Sequence, residues 1–276
     1  MRWNDIEFKA ERQGVSPKLI LREEVQKGIL TSFSKEGLFQ TLVFQGGTAL
    51  RLFYDNPRFS EDLDFVLREK KNMFRLRKYL EKTEDFIVNS FPFLDTVQIR
   101  AQKVEDDFQR LMVNTISDSP EQRVRVNVEV FDVPSYENEI KILSFSPINP
   151  AVRVETAKEI LADKVTALSG RDYIKGRDLW DIYLLWEQRS VDLDLPMVIK
   201  KIEDYGEKSS EFTKNLEQAG KRLEKEGTKI LERELKRFLS PSLYQNYDED
   251  LDAILDAVRK LIEEVIQNSP SFEVDK

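Results

Sequence analysis

The chain has 276 residues, 40% hydrophobic and 34% charged, with 43 Lys and Arg against 51 Asp and Glu for a formal charge of −8, a balance that argues against indiscriminate coating of nucleic acid. It contains neither Cys nor His, which excludes disulfide frameworks, thiolate and imidazole metal sites, Cys nucleophiles and Ser-His-Asp triads. No apolar run approaches the roughly 18 residues of a membrane helix, and the opening MRWNDIEFKAERQG lacks a signal-peptide core, so a cytoplasmic protein with no membrane partner is expected.

In chain order, residues 17 to 38 read as a helix, with Leu19, Leu21, Val25, Ile29 and Leu30 at helical spacings before Gly37. TLVF is a short strand. Helical periodicity returns in TALRLFY, where Thr48 is expected as the N-terminal cap after Gly46 and Gly47, and the turn signal DNP ends it. EDLDFVL follows as a strand. The segment 68 to 82, REKKNMFRLRKYLEK, carries seven basic and two acidic side chains and reads as a basic helix, either a solvated face or a surface for an anionic substrate. TVQIRAQKV and RLMVNTI are further strands. RVRVNVEVFDV then alternates cleanly: Val124, Val126, Val128 and Val130 point one way, Arg125, Asn127 and Glu129 the other. EIKILSF is one more strand, and from about Glu155 the pattern is helical to the end. The plan is α+β, a mixed sheet followed by a helical C-terminal domain, with domains at 1–153 and 154–276.

The chemistry gathers in FQGGTALRLFYDNPRFSEDLDFVL. A strand has a side-chain period of two, so Asp62 and Asp64 share one face while Leu63 and Phe65 enter the core. Two carboxylates so close repel unless a cation lies between them, and in a chain without Cys or His that cation is a hard one such as Mg²⁺ or Mn²⁺. Glu129 is the candidate third carboxylate, with Asp132 the alternative and a solvated strand residue the plainer role. Three such groups would suit two-metal phosphoryl transfer. A Gly-Gly turn opening a helix lets the N–H groups of Gly46 and Gly47 approach phosphate oxygens, with the Thr48 hydroxyl beside them. Taken singly, a Gly pair is a turn and an Asp-x-Asp a surface feature. Their order and spacing set them apart.

Two further groups lie in the helical half. In ETAKEILADKVTALSGR the apolar stripe Ala157, Ile160, Leu161, Val165 and Leu168 is interrupted by Lys164, which must either snorkel out or meet an anion. In KGRDLWDIYLLW, Asp178 and Asp181 share a helix face, and Arg177 can pair with either acid in a structural ion network.

Together, GGTALRLFY…RFSEDLDFVL, EILADKVTAL and GRDLWDIYLL resemble the AbiEii/AbiGii-type nucleotidyltransferases, the toxin family that includes the MenT-like proteins. The resemblance covers roughly residues 40 to 190. It implies a DNA polymerase β-like nucleotidyltransferase fold with a helical C-terminal part, an NTP and Mg²⁺ as substrate and cofactor, RNA and in particular the tRNA 3′ end as acceptor, and a cognate antitoxin as partner. By position, Gly47 and Thr48 match the family's Gly-Ser phosphate-binding pair, with Thr for Ser. Asp62 and Asp64 match its metal-binding Asp-x-Asp. Lys164 matches a lysine that contacts the triphosphate, and Asp178 the acid of its Arg-Asp motif, preceded by Arg177 and with Asp181 nearby. The resemblance itself supplies no firm third carboxylate.

Overall fold

The computed structural model describes residues 1–70, 75–248 and 250–269. It divides into two compact units, one of Met1–Asp55 with Phe59–Glu155 and one of Asn56–Arg58 with Thr156–Lys276. The division falls two residues beyond the expected 153/154, and the short excursion at Asn56–Arg58 has no counterpart in the sequence reading.

The first unit is built on a seven-stranded mixed sheet in the order β3-β4-β5-β2-β1-β7-β6. The strands are β1 (Leu42–Gln45), β2 (Asp62–Leu67), β3 (Thr96–Val104), β4 (Phe108–Ile116), β5 (Arg125–Pro134), β6 (Asn138–Ile142) and β7 (Ala151–Glu155). β2 runs parallel to β5 and β1 parallel to β7, and the other pairings are antiparallel. Val126, Val128 and Val130 are buried on one face of β5, as the alternation requires. That face is covered by α2 (Pro17–Lys35), whose Phe33 ring lies 5.7 Å from Phe65, while Phe44 lies 5.2 Å from Phe65 across the β1–β2 pair. α1 (Trp3–Gln13) packs along α2.

Four sequence expectations are corrected. β7 was not foreseen: AVRVE alternates over only five residues and lies where the second domain was expected to begin. The strand in EIKILSF stops at Ile142. The expected basic helix is not helical at its described residues 68–70 and 75. A 3-10 turn spans Leu76–Tyr79 and α4 begins only at Leu80, running to Ser90, because Leu76, Thr83 and Ile87 provide the buried side, whereas residues 68–70 are exposed. Residues 71–74 of that segment lie outside the described residues. Finally, α3 (Gly46–Phe53) is capped by Gln45, so Thr48 is the third helical residue rather than the cap.

The second unit has no strand among its described residues and is built from α5 (Ala157–Gly170), α6 (Gly176–Ile182) continuing through a π-helical turn at Tyr183–Gln188, α7 (Leu195–Asp204), α8 (Phe212–Phe238), α9 (Pro241–Tyr247) and α10 (Leu251–Asn268). Thr156 caps α5, accepting from Glu159 N at 3.2 Å, and Asp194 caps α7, accepting from Met197 N at 3.0 Å. α8 buries Leu216, Leu223, Leu231 and Leu235 at helical spacing, and α10 answers with Ile254, Val258, Leu261 and Val265. α6 starts close against α8, since a Cβ on Gly176 would lie 2.9 Å from the Ile230 carbonyl oxygen. Lys201 of α7 is buried between Glu159 and Asp163 of α5, its ammonium 2.8 Å and 2.9 Å from their carboxylates. No helix among the described residues is long and apolar enough to cross a membrane.

Candidate active site

In the first unit, β1 passes directly into α3 and β2 returns antiparallel alongside, pairing Gln45 with Asp64. The junction needs a residue with positive φ, and Gly46 supplies it at +78°. A Cβ there would also lie 2.6 Å from Asp64 Oδ2, so the missing side chain is what admits the carboxylate. Thr48 is fully buried, and its Oγ1 donates to the Asp62 carbonyl oxygen at 2.5 Å. That hydroxyl ties α3 to the first residue of β2 and its proton is committed there, a use different from the expected phosphate contact.

Asp62 and Asp64 lie on the half-exposed side of β2, while Leu63 and Phe65 are fully buried. The parallel neighbour β5 presents Asn127 beside Asp62 and Glu129 beside Asp64. Asn127 Nδ2 donates to Asp62 Oδ1 at 2.8 Å, fixing the rotation of that carboxylate and leaving its second oxygen to another partner. No Lys or Arg among the described residues pairs with Asp62. Glu129 accepts from Arg110 Nε of β4 at 2.8 Å, so its charge is already matched. Among the described residues no group of three or more acidic side chains is arranged to hold a metal ion. Asp132 lies farther along β5, beside a small cavity shared with Asp106, Asp107 and Gln109. Of the two candidates for a third carboxylate, Glu129 is the one in register with Asp64. The same-face pair of hard oxygen donors, Asp62 and Asp64, fits a divalent cation.

In the second unit, the helical-half residues form a buried ionic cluster. Lys164 meets anions instead of snorkelling: its side chain is only 12% exposed, and its ammonium is 2.7 Å from Asp178 Oδ1 and 2.8 Å from Asp181 Oδ2. Arg171 holds the other oxygen of Asp178. Arg58 grips Asp181 with both arms of its guanidinium, Nε to Oδ1 at 2.6 Å and Nη2 to Oδ2 at 2.5 Å. Asn56 links these groups, donating to Asp181 Oδ1 at 2.9 Å and accepting from Trp180 Nε1 at 2.9 Å and from Arg58 N at 3.2 Å. Arg177 is not part of it: its backbone N donates to Glu234 at 3.0 Å and its side chain lies 3.7 Å from the same carboxylate, so the expected pairing with Asp178 or Asp181 is replaced by one to α8.

Burial alone would raise the Asp178 carboxyl, but Lys164 and Arg171 outweigh it and hold the group well below the usual carboxylate range. Asp181 is lowered in the same way by Arg58 and Lys164 against its own burial. Burial would lower the Lys164 ammonium, and Asp178 and Asp181 raise it instead. Asp178, Asp181 and Lys164 are therefore charged at neutral pH. Asn56 and Arg58 were missed in the sequence, where NPR reads as a turn. The available signal was an Arg set among Pro57 and Phe59 with no acid within two residues.

The sequence matches the family model described as nucleotidyl transferase AbiEii toxin, type IV TA system, over residues 28–257. Among solved structures, the protein JHP933 from Helicobacter pylori is similar over 91% of this chain and 93% of its own, with a TM-score of 0.57 at 20% identity. A protein from H. pylori designated a nucleotidyltransferase is similar over 92% and 96%, with a TM-score of 0.56 at 18% identity. At such identities the likeness concerns the fold. No curated protein matches the sequence.

Proposed function

Because the chain belongs to the AbiEii nucleotidyl transferase toxin family and is thus a nucleotidyltransferase of the toxin–antitoxin type, we propose that it moves a nucleotidyl group from an NTP to RNA, with the tRNA 3′ end as acceptor, and that Mg²⁺ or Mn²⁺ bound by Asp62 and Asp64 serves the reaction. The observation that carries this reading is the pair of carboxylates on one face of β2, one seated over the side-chain-free Gly46 and the other oriented by Asn127.

A divalent ion at these carboxylates would supply charge neutralisation for the triphosphate and acidify the attacking hydroxyl. The protein's own part is positional. Asn127 fixes the angle of Asp62, Gly46 makes room for Asp64, and Thr48 anchors the strand that bears both. The backbone N–H groups of Gly46 and Gly47, at the start of α3, are the donors for phosphate oxygens. Glu129 serves this site by holding Arg110, a cation one strand further from the carboxylates. Lys164, Asp178 and Asp181 keep the second unit folded as a charged but fully paired core, a role the buried cluster supports directly.

The test is incubation of purified protein with each labelled NTP, Mg²⁺ and total RNA, with and without EDTA. RNA-borne label that is lost with EDTA and in Asp62→Asn and Asp64→Asn proteins is expected. Label appearing on protein, or transfer unaffected in Asp64→Asn, would overturn the proposal.

A further inference from the structure

The face of the sheet that bears Asp62 and Asp64 continues across β5, β4 and β3, and its composition is unlike that of the chain as a whole. The register sets Glu129 opposite Arg110, Asn127 opposite Met112 and Arg125 opposite Asn114. Beyond them, Gln98, Arg100 and Lys103 of β3 pair with Asn114, Met112 and Arg110. Arg100, Lys103 and Arg125 are exposed, and Arg110 is half-buried. In a chain of net charge −8, this face carries four cations, of which Arg110 pairs with Glu129 at 2.8 Å and Lys103 with Glu105 at 2.7 Å, while no carboxylate among the described residues pairs with Arg100 or Arg125. At one end of the ladder Phe108 faces Phe131 with ring centroids 4.7 Å apart, and Lys103 and Arg110 each lie 5.4 Å from the Phe108 ring.

We propose that this open face is a platform for single-stranded polynucleotide, whose bases stack against the Phe108–Phe131 pair and whose phosphates meet Arg100 and Arg125. The chemistry selects the occupant. Aromatic rings flanked by cations on an exposed sheet face offer stacking to unpaired bases, which a duplex hides within itself. Amides at Gln98, Asn114 and Asn127 add donors and acceptors for base edges. With strands about 4.8 Å apart, the platform extends roughly 14 Å from β2, enough for two or three stacked nucleotides ending at the carboxylates. The direction of the strand rests on the proposed transfer reaction. Binding to the face does not.

Fluorescence anisotropy with a short labelled single-stranded oligoribonucleotide tests this, without NTP or metal. The Arg100→Glu/Arg125→Glu protein is compared with wild type and with a Lys221→Glu/Lys225→Glu protein, in which the same charge change is made at exposed positions of α8. The face variant is expected to bind about tenfold or more weakly with a shallower salt dependence, and the α8 variant within about twofold of wild type. Phe108→Leu should weaken binding several-fold with the salt dependence unchanged. Equal loss in both charge variants, or duplex RNA bound as tightly as the single strand, would overturn the platform. The transfer assay separates the two ideas: wild-type transfer to RNA with undiminished transfer by the face variant defeats the platform alone, whereas oligonucleotide binding lost in the face variant, from a wild type that transfers nothing, upholds it and defeats the reaction.

Discussion

Gly46 and Asp64 are matched in space: the position a Cβ would take on Gly46 lies 2.6 Å from Asp64 Oδ2, at a residue whose φ is +78°. Gly46→Ala therefore does two things at once. It strains the backbone by about 1–2 kcal/mol, and it pushes the carboxylate out of place. Nucleotidyl transfer is expected to fall about 100-fold or more, with a modest drop in thermal midpoint. Gly220→Ala is the control, since nothing lies within 4 Å of a Cβ there. It should leave transfer unchanged. Full activity in Gly46→Ala would mean that Asp64 need not sit where it does.

Thr48 tests the difference between an anchor and a phosphate ligand. Its hydroxyl is buried and donates to the Asp62 carbonyl, so Thr48→Val should cost about 1–3 kcal/mol in urea unfolding by leaving that carbonyl short of a donor. Thr48→Ser should keep most of that stability. A Thr48→Val protein as stable as wild type but with a raised KM for NTP would restore the phosphate role.

The Arg58–Asp181 pair is fully buried, with 2% and 0% side-chain exposure. Arg58→Met leaves Asp181 with Lys164 and Asn56 as its partners among the described residues, and should destabilise the protein by about 3–5 kcal/mol. Arg58→Met/Asp181→Leu should recover part of this, because no uncompensated charge remains. A single variant no less stable than the double one would show that the pair carries little of the unit's stability.

The same cluster fixes how stability responds to pH. Asp178 and Asp181 are held below the ordinary carboxylate value, so their contribution is full above about pH 4 and is lost as pH falls through their folded values. Lys164 is raised, so its contribution is full below about pH 10 and is lost as pH climbs through its folded value. Denaturation midpoints should be level between about pH 5 and 9 and fall on both sides. Asp178→Asn should be less stable at neutral pH and lose less on acidification. An acid limb as steep as that of wild type would place the responsible carboxylates elsewhere.

What the sequence disclosed follows the range over which its signals act. The shared face of Asp62 and Asp64 was legible because a strand's period of two is local, and the Val126–Val128–Val130 face of β5 for the same reason. Gly46 was legible as a special residue, but not its reason, since Asp64 meets it only once β1 and β2 pair. Lys164 stood out because a cation interrupted an apolar stripe. Its partners at Asp178 and Asp181 required α5 and α6 to pack. Arg58 and Asp181 are 123 residues apart, and Arg177 and Glu234 are 57 apart. Periodicity carries no information over such separations. β7 was lost because five alternating residues next to a proline look like a linker.

The excursion of Asn56–Arg58 means that the helical half is not a cassette. A gene fragment beginning at residue 156 would encode every helix of that unit yet omit the guanidinium that Asp181 requires and the amide that Trp180 and Asp181 share. Recombination or truncation at the apparent linker would cut the polypeptide where its sequence looks divisible and strand a charge in the interior. The two halves are thus bound to be inherited together, and a swap between relatives would have to carry the NPR tripeptide along with the helices it completes.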